Sequence, residues 1–204
     1  MPLVKRPIGS AAPPHAVSAD PFRQLADPDP DARWSAARAL ATEPEAAGAL
    51  GRALEREADA RVREAITTTL MRIGSEAAAG ELIPRLRSDD AALRSLVVEA
   101  LQGMPAVMSA HLPDLLADPD ADVRLLAAEI ARTMPAVEGT AFLADALAGE
   151  QHPNVAAGIV EVLAEIGTPE AADALRIARR RFAAEPFLPF AVDVALERLG
   201  QAEP

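Results

Sequence analysis

The sequence predicts an all-α solenoid, on composition, on an internal repeat and on what lies between the repeats. The chain has 204 residues, 47 of them Ala, with 50% hydrophobic but only 3% aromatic residues and neither Cys nor Tyr. Small side chains suit closely packed helices, whereas a sandwich or barrel needs β-branched and aromatic residues, so an all-β fold is excluded. Four segments superpose: DPDARWSAARAL from Asp29, DARVREAITTTL from Asp59, DAALRSLVVEAL from Asp90 and DADVRLLAAEIA from Asp120. In each, an Asp precedes an Arg by four positions, and Arg33, Arg63, Arg94 and Arg124 are spaced by 30, 31 and 30 residues. A constant period of this size marks a stacked repeat.

Residues 1–20 fall outside the period; Pro2, Pro7, Pro13 and Pro14, with Lys5 and Arg6, read as a flexible or extended arm. The solenoid is assigned to 21–200 and a short tail to 201–204. Two later units, HPNVAAGIVEVL from His152 and EPFLPFAVDVAL from Glu185, keep the apolar pattern but put Ala156 and Pro189 where the Arg belongs, as degenerate end repeats do. Between the units run amphipathic stretches at about 44–57, 75–87, 106–117, 137–150 and 169–185, so one period is two antiparallel helices. Gly74, Pro105, Pro135 and Gly167 punctuate the pairs, Pro44 and Pro169 sit near helix starts, and Pro84 and Pro113 are expected to kink or break the helices containing them.

The Asp of each unit falls at the start of a second helix, where a short acceptor caps free N–H groups. The Arg lies one turn further on, within reach of its own Asp and of the next repeat's. Asp29/Arg33, Asp59/Arg63, Asp90/Arg94 and Asp120/Arg124 are therefore read as a structural ladder of alternating carboxylates and guanidiniums.

The D-x-x-V/L-R-x-x-A/V-x-x-x-L pattern, with Ile73–Gly74 and Ile166–Gly167 ending two helices, resembles the HEAT-repeat superfamily, and in its short period the HEAT-like repeats first noted in phycobilisome lyase subunits. The resemblance covers residues 21–200. It implies a right-handed α-solenoid of five to six helical hairpins whose second helices line a concave face. It leaves function open, because such folds serve as scaffolds, adaptors, assembly factors and, less often, enzymes.

No catalytic motif is found: there is no G-x-S-x-G, no phosphate loop, no G-x-G-x-x-G and no H-E-x-x-H. His15, His111 and His152 share no ligand spacing, and without a His-Glu dipeptide the di-iron chemistry of HEAT-like hydroxylases is not carried over. Asp27, Asp29 and Asp31, and Asp118, Asp120 and Asp122 with Glu129, imitate a calcium loop, but Ala32 and Val123 replace the Gly such a loop needs, and capping accounts for both triplets. A net charge of −11 and a pI near 4.7 argue against phosphate neutralisation as the main work, so no nucleic acid is expected. The basic run Arg176, Arg179, Arg180 and Arg181 reads as a solvated face. No apolar run long enough to span a bilayer and no leader-like start is present; a cytoplasmic protein without metal, cofactor or membrane partner is expected.

Counting from the ladder Arg as zero, apolar or small residues recur at three, four and seven, leaving one, two, five and nine for the groove. Position five reads Arg38, Thr68, Glu99, Glu129 and Glu161, a carboxylate row developing toward the C-terminus. Positions one and two supply Trp34, Glu64, Leu96, Leu125, Leu126 and Phe190. Trp34 is either an exposed anchor or a cover for the open end, and Leu125 and Leu126 are read as a groove floor rimmed by acid. The function these residues suggest is a non-catalytic scaffold, adaptor or assembly chaperone holding a basic or amphipathic segment of a protein partner. The alternative, implied by the lyase resemblance, is a subunit for chromophore attachment.

Overall fold

The computed structural model describes residues 20–201. Most of the N-terminal arm, His15 among it, and the last three residues lie outside them. All regular structure among the described residues is helical. Six hairpins follow in order: α1 (Pro21–Gln24) with α2 (Pro30–Ala39), α3 (Ala47–Arg56) with α4 (Ala60–Ile73), and α5 (Glu76–Leu82) with α6 (Ala91–Gln102). Then come α7 (Pro105–Leu116) with α8 (Ala121–Ala131), α9 (Ala136–Gly149) with α10 (Pro153–Ile166), and α11 (Ala172–Arg181) with α12 (Leu188–Arg198). The even-numbered helices stack on one another from α2 to α12, and α3, α5, α7, α9 and α11 form a second layer behind them.

The core repeats as the periodicity predicts. Position three is Ala36, Ile66, Val97, Ala127, Ile159 and Val192, and position seven is Leu40, Leu70, Leu101, Ala131, Leu163 and Leu196; all twelve are buried. Position four is buried as Ala37, Thr67, Val98, Ala128 and Val160, but its sixth occupant, Asp193, is exposed and pairs with Arg179. Each hairpin buries its apolar stripe only by stacking on its neighbours, the general logic of solenoids.

Capping sets where the second helices begin. Asp29 accepts from the Asp31 amide at 3.0 Å, Asp59 from Arg61 and Val62 at 2.9 and 3.1 Å, Asp90 from Ala92 and Leu93 at 2.9 and 3.2 Å, and Asp120 from Asp122 at 2.9 Å. The two degenerate units start at His152 and Phe187, whose side chains do not cap. Their helices are held by packing instead.

The two interior prolines behave differently. α5 stops at Leu82 and continues as a 3-10 turn through Pro84 to Arg87, whereas α7 runs through Pro113 to Leu116. Pro113 stands in the last turn, where the Ala117 amide still finds the Pro113 carbonyl at 3.2 Å, so the helix is near its end before the lost donor matters. The glycines after Ile73 and Ile166 also differ: Gly74 ends α4 in the left-handed conformation at φ 60°, while Gly167 is extended and needs its missing side chain because a Cβ would meet the Leu163 carbonyl oxygen at 2.3 Å.

Candidate partner-binding face

The ladder arginines fix the geometry from which this face is built, and they do so differently from the expected column. Each reaches back six residues to a loop carbonyl of its own repeat: Arg33 to Asp27 at 2.9 Å, Arg63 to Glu57 at 2.6 Å, Arg94 to Ser88 at 2.5 Å and Arg124 to Asp118 at 2.8 Å. None pairs with its own Asp, whose carboxylate is turned toward the helix N–H groups it caps. Across to the next repeat, Arg33 forms a bidentate pair with Glu57 (2.8 and 2.8 Å) and Arg124 one with Glu150 (2.8 and 3.0 Å). Only Arg63 takes the neighbouring ladder carboxylate, Asp90, at 2.6 Å. The acceptor Arg94 would be expected to use, Asp118, is held by Arg87.

Glu57 and Glu150 belong to a row that the repeat comparison missed. Two residues before each second-helix start stands Asp27, Glu57, Ser88, Asp118 or Glu150, and each accepts from the amide of the cap residue, at 2.9, 2.9, 3.1, 2.9 and 2.7 Å. The visible signal was an oxygen-bearing side chain at one fixed offset, obscured because its identity varies among Asp, Glu and Ser. The Glu57 and Glu150 side chains are only 4% and 5% exposed. The Arg33 guanidinium, assisted by the amides of Asp59 and Ala58, holds the Glu57 carboxyl below the usual carboxylate range despite its burial. At Glu150 burial alone pushes the pKa up, and Arg124 with the His152 and Gln151 amides outweighs it, so the net shift is downward.

On the exposed side of the second helices, the residues singled out from the sequence fall into three groups. Trp34 is half-buried against the core, with the Arg38 guanidinium 4.4 Å from its ring centroid and that of Arg61 at 5.9 Å, while Arg61 also pairs with Asp31. It is therefore a cation-covered wall, and the freely exposed anchor is not what the structure has.

Glu64, Thr68, Leu96 and Glu99 come together. With Thr67, Met71 and Ala100 they line one shallow depression between α4 and α6. Glu64, Thr68 and Glu99 are exposed, Leu96 is half-buried, and among the described residues neither Glu64 nor Glu99 takes part in an ion pair. The site is small, open and negative, with an apolar floor.

In the third group Leu125 stays 36% exposed but leans onto the next repeat. Its Cδ1 occupies the space over Gly158 of the next repeat, where a Cβ would lie 2.5 Å away, and Leu126 packs half-buried on the core. Glu129 and Glu161, expected to extend a carboxylate row, are gathered around Arg132. That guanidinium binds Glu129 at 2.8 and 3.0 Å, lies 3.9 Å from Glu161 and also pairs with Glu165. Glu129 and Glu165, in that order, raise the Arg132 pKa, and Arg132 in turn lowers that of Glu165. The C-terminal half of the row is thus drawn onto one guanidinium in a cluster that keeps a net negative charge, and the carboxylates without an ion pair sit at α4 and α6.

Elsewhere the first two carboxylates of each calcium-like triplet are engaged as caps, Asp31 pairs with Arg61, and no group of His, Asp and Glu poised to hold a metal is found among the described residues. The basic run on α11 is not simply solvated: Arg181 donates to the Leu147, Ala148 and Glu150 carbonyls at the end of α9, and Arg179 pairs with Asp193 at 2.6 Å. His111 meets Glu76 at 2.8 Å in the first-helix layer. No helix among the described residues is long and apolar enough to cross a membrane.

A family model for HEAT repeats matches residues 19–102 and 109–182. No curated protein sequence matches significantly. Among solved structures, the chain is similar to one from work on microtubule plus-end tracking by XMAP215, CLIP-170 and EB1, at 13% identity over 91% of this chain and 92% of that one, with a TM-score of 0.57. The complex of CpcE and CpcF of phycocyanin lyase from Nostoc sp. PCC7120 aligns at 18% identity over 97% and 100% of the two chains, TM-score 0.39. A designed armadillo repeat protein in complex with the peptide (KR)4 aligns at 18% identity over 89% and 100%, TM-score 0.43. The buried three-and-seven pattern, the six stacked hairpins and the family match agree: the chain belongs to the HEAT-repeat family.

Proposed function

We propose that this chain is a non-catalytic protein-binding module, a scaffold, adaptor or assembly chaperone, that holds a basic or amphipathic segment of a partner protein against its second helices. The observation that carries this reading is the depression between α4 and α6, where Glu64 and Glu99, both without an ion pair among the described residues, flank Leu96 and Thr68. Two carboxylates around an apolar floor suit a segment presenting Lys or Arg on either side of an aliphatic side chain, with the charges guiding approach and the floor slowing release. The cation-covered Trp34 bounds this surface on the N-terminal side and the Arg132 cluster, its carboxylates already gathered on one guanidinium, on the C-terminal side.

The test is fluorescence anisotropy with a labelled amphipathic Lys/Leu peptide. The double variant Glu64→Lys/Glu99→Lys is expected to weaken binding by about tenfold or more, a loss of roughly 1.4 kcal/mol. Asp145→Lys, on the first-helix layer, is expected to bind as wild type. Equal binding by the double variant and wild type would remove the depression from consideration.

A further inference from the structure

Charge is distributed unevenly along the chain. Residues 1–19 contain Lys5 and Arg6 and no carboxylate, while all 31 Asp and Glu residues follow from Asp20 onward. Lys5 is also the only lysine of the protein. It stands in Leu3-Val4-Lys5-Arg6-Pro7-Ile8, two adjacent cations between aliphatic side chains, which is the composition that the depression between α4 and α6 suits. These six residues lie outside the described ones.

The depression matches this segment in charge and in shape. Of the four carboxylates assigned to the groove, Glu129 and Glu161 are already gathered on Arg132, which leaves Glu64 on α4 and Glu99 on α6 without an ion pair among the described residues. A proline disfavours helical geometry in the residue before it, and Pro7 follows Arg6. In an extended segment successive side chains point to opposite sides, so Lys5 and Arg6 suit one wall each. The tether is also long enough. The twelve residues from Ile8 to Asp20 span up to about 40 Å when extended. Asp20 caps α1, which packs on α2, and the depression lies on the far side of α4; at about 8–10 Å between packed helices, the separation across the stack is about 25 Å.

We propose that residues 3–8 dock in the depression between α4 and α6 of their own molecule, Lys5 and Arg6 against Glu64 and Glu99, so that a partner binds by displacing them. The proposal rests on the reading of that depression as a site for basic segments. Tethering holds the segment at about millimolar effective concentration, so that an intrinsic Kd of roughly a few hundred µM raises a competitor's apparent Kd about three- to tenfold.

Two measurements on the full chain test this. In the anisotropy assay with the labelled Lys/Leu peptide, Lys5→Ser/Arg6→Ser is expected to bind about three- to tenfold more tightly than wild type. Added to Glu64→Lys/Glu99→Lys, the same pair of substitutions should change nothing. Carbodiimide coupling, which joins an amine directly to a carboxylate, is then mapped by mass spectrometry on an equal mixture of isotope-labelled and unlabelled protein. Lys5 is expected to couple to Glu64 or Glu99 with both ends carrying the same isotope, and excess peptide should suppress the product. Equal peptide affinity with and without Lys5 and Arg6, coupling of Lys5 only to other carboxylates, or products of mixed isotope alone would each overturn self-docking; the depression then stands as a partner site as long as Glu64→Lys/Glu99→Lys still loses the peptide. Failure of that variant to weaken peptide binding would overturn both readings together.

Discussion

Replacing Glu150 by Ala removes one of the two most heavily used side chains of the hidden acceptor row, the other being Glu57. Its carboxylate takes two bonds from Arg124, at 2.8 and 3.0 Å, and one each from the Gln151 and His152 amides, at 2.9 and 2.7 Å. Breaking a buried pair by deleting one partner costs about 3–5 kcal/mol. Here Arg124 is 17% exposed and keeps the Asp118 and Pro119 carbonyls, which places the loss at the lower end, about 3 kcal/mol. With a urea dependence of about 2–3 kcal/mol per M, the unfolding midpoint should fall by about 1 M, followed by circular dichroism. The loss should be shared with Arg124→Ala, so that the double variant costs clearly less than the sum. The Glu150 pKa is lowered on folding, so its contribution is complete above the ordinary carboxylate range and disappears as pH falls through the folded value. The stability gap between wild type and Glu150→Gln should accordingly be widest near neutrality, begin to shrink as pH enters the ordinary carboxylate range near about 4.3, and close only below the lower folded value. A midpoint shift under about 0.3 M, or a gap that does not change with pH, would refute the assignment of Glu150 as the inter-repeat staple.

Two further substitutions separate the parts of the ladder. Arg94→Ala should cost about 1 kcal/mol or less in the same urea experiment, because Arg94 donates only to the Ser88 carbonyl; a loss equal to that of Glu150→Ala would show the rungs to be equivalent. Gly158→Ala puts a methyl 2.5 Å from Leu125 Cδ1 and should destabilise by roughly 1–2 kcal/mol, while in the Leu125→Ala background the same change should cost much less. Equal costs in both backgrounds would mean that Leu125 does not set the space over Gly158.

The hairpins were legible because everything that sets them is local. A 3.6-residue period places Leu40, Leu70, Leu101, Leu163 and Leu196 on one stripe, and an Asp before each of the first four second helices announces its start. The ladder was misread at the step that is not local. A capping Asp was matched with the Arg of its own helix, although the oxygen that faces its helix amides cannot also face an Arg one turn along; Asp90 alone of the four both caps and pairs, with Arg63 of the preceding repeat. The true partners, Glu57 and Glu150, lie 24 and 26 residues from their arginines at the ends of other helices, where no period within one helix points. The binding face was half legible for a similar reason. Exposure at position five follows from the period, so Thr68 and Glu99 are where expected, but the charge at Glu129 and Glu161 depends on Arg132 at position eight, a residue outside the set assigned to the groove.

In mechanical terms the Arg132 cluster is a rivet. One guanidinium ties Glu129 on its own helix to Glu161 and Glu165 on the next, so α8 and α10 resist sliding or twisting past one another. Between α4 and α6 the Arg63–Asp90 pair ties the helix starts, while further along Glu64 and Glu99 take no ion pair among the described residues. The stretch of α4 and α6 beside the proposed docking depression therefore lacks the mid-helix charged tie that joins α8 to α10. A segment bridging Glu64 and Glu99 would supply there the cross-link that Arg132 supplies further along, and would stiffen the molecule as it binds.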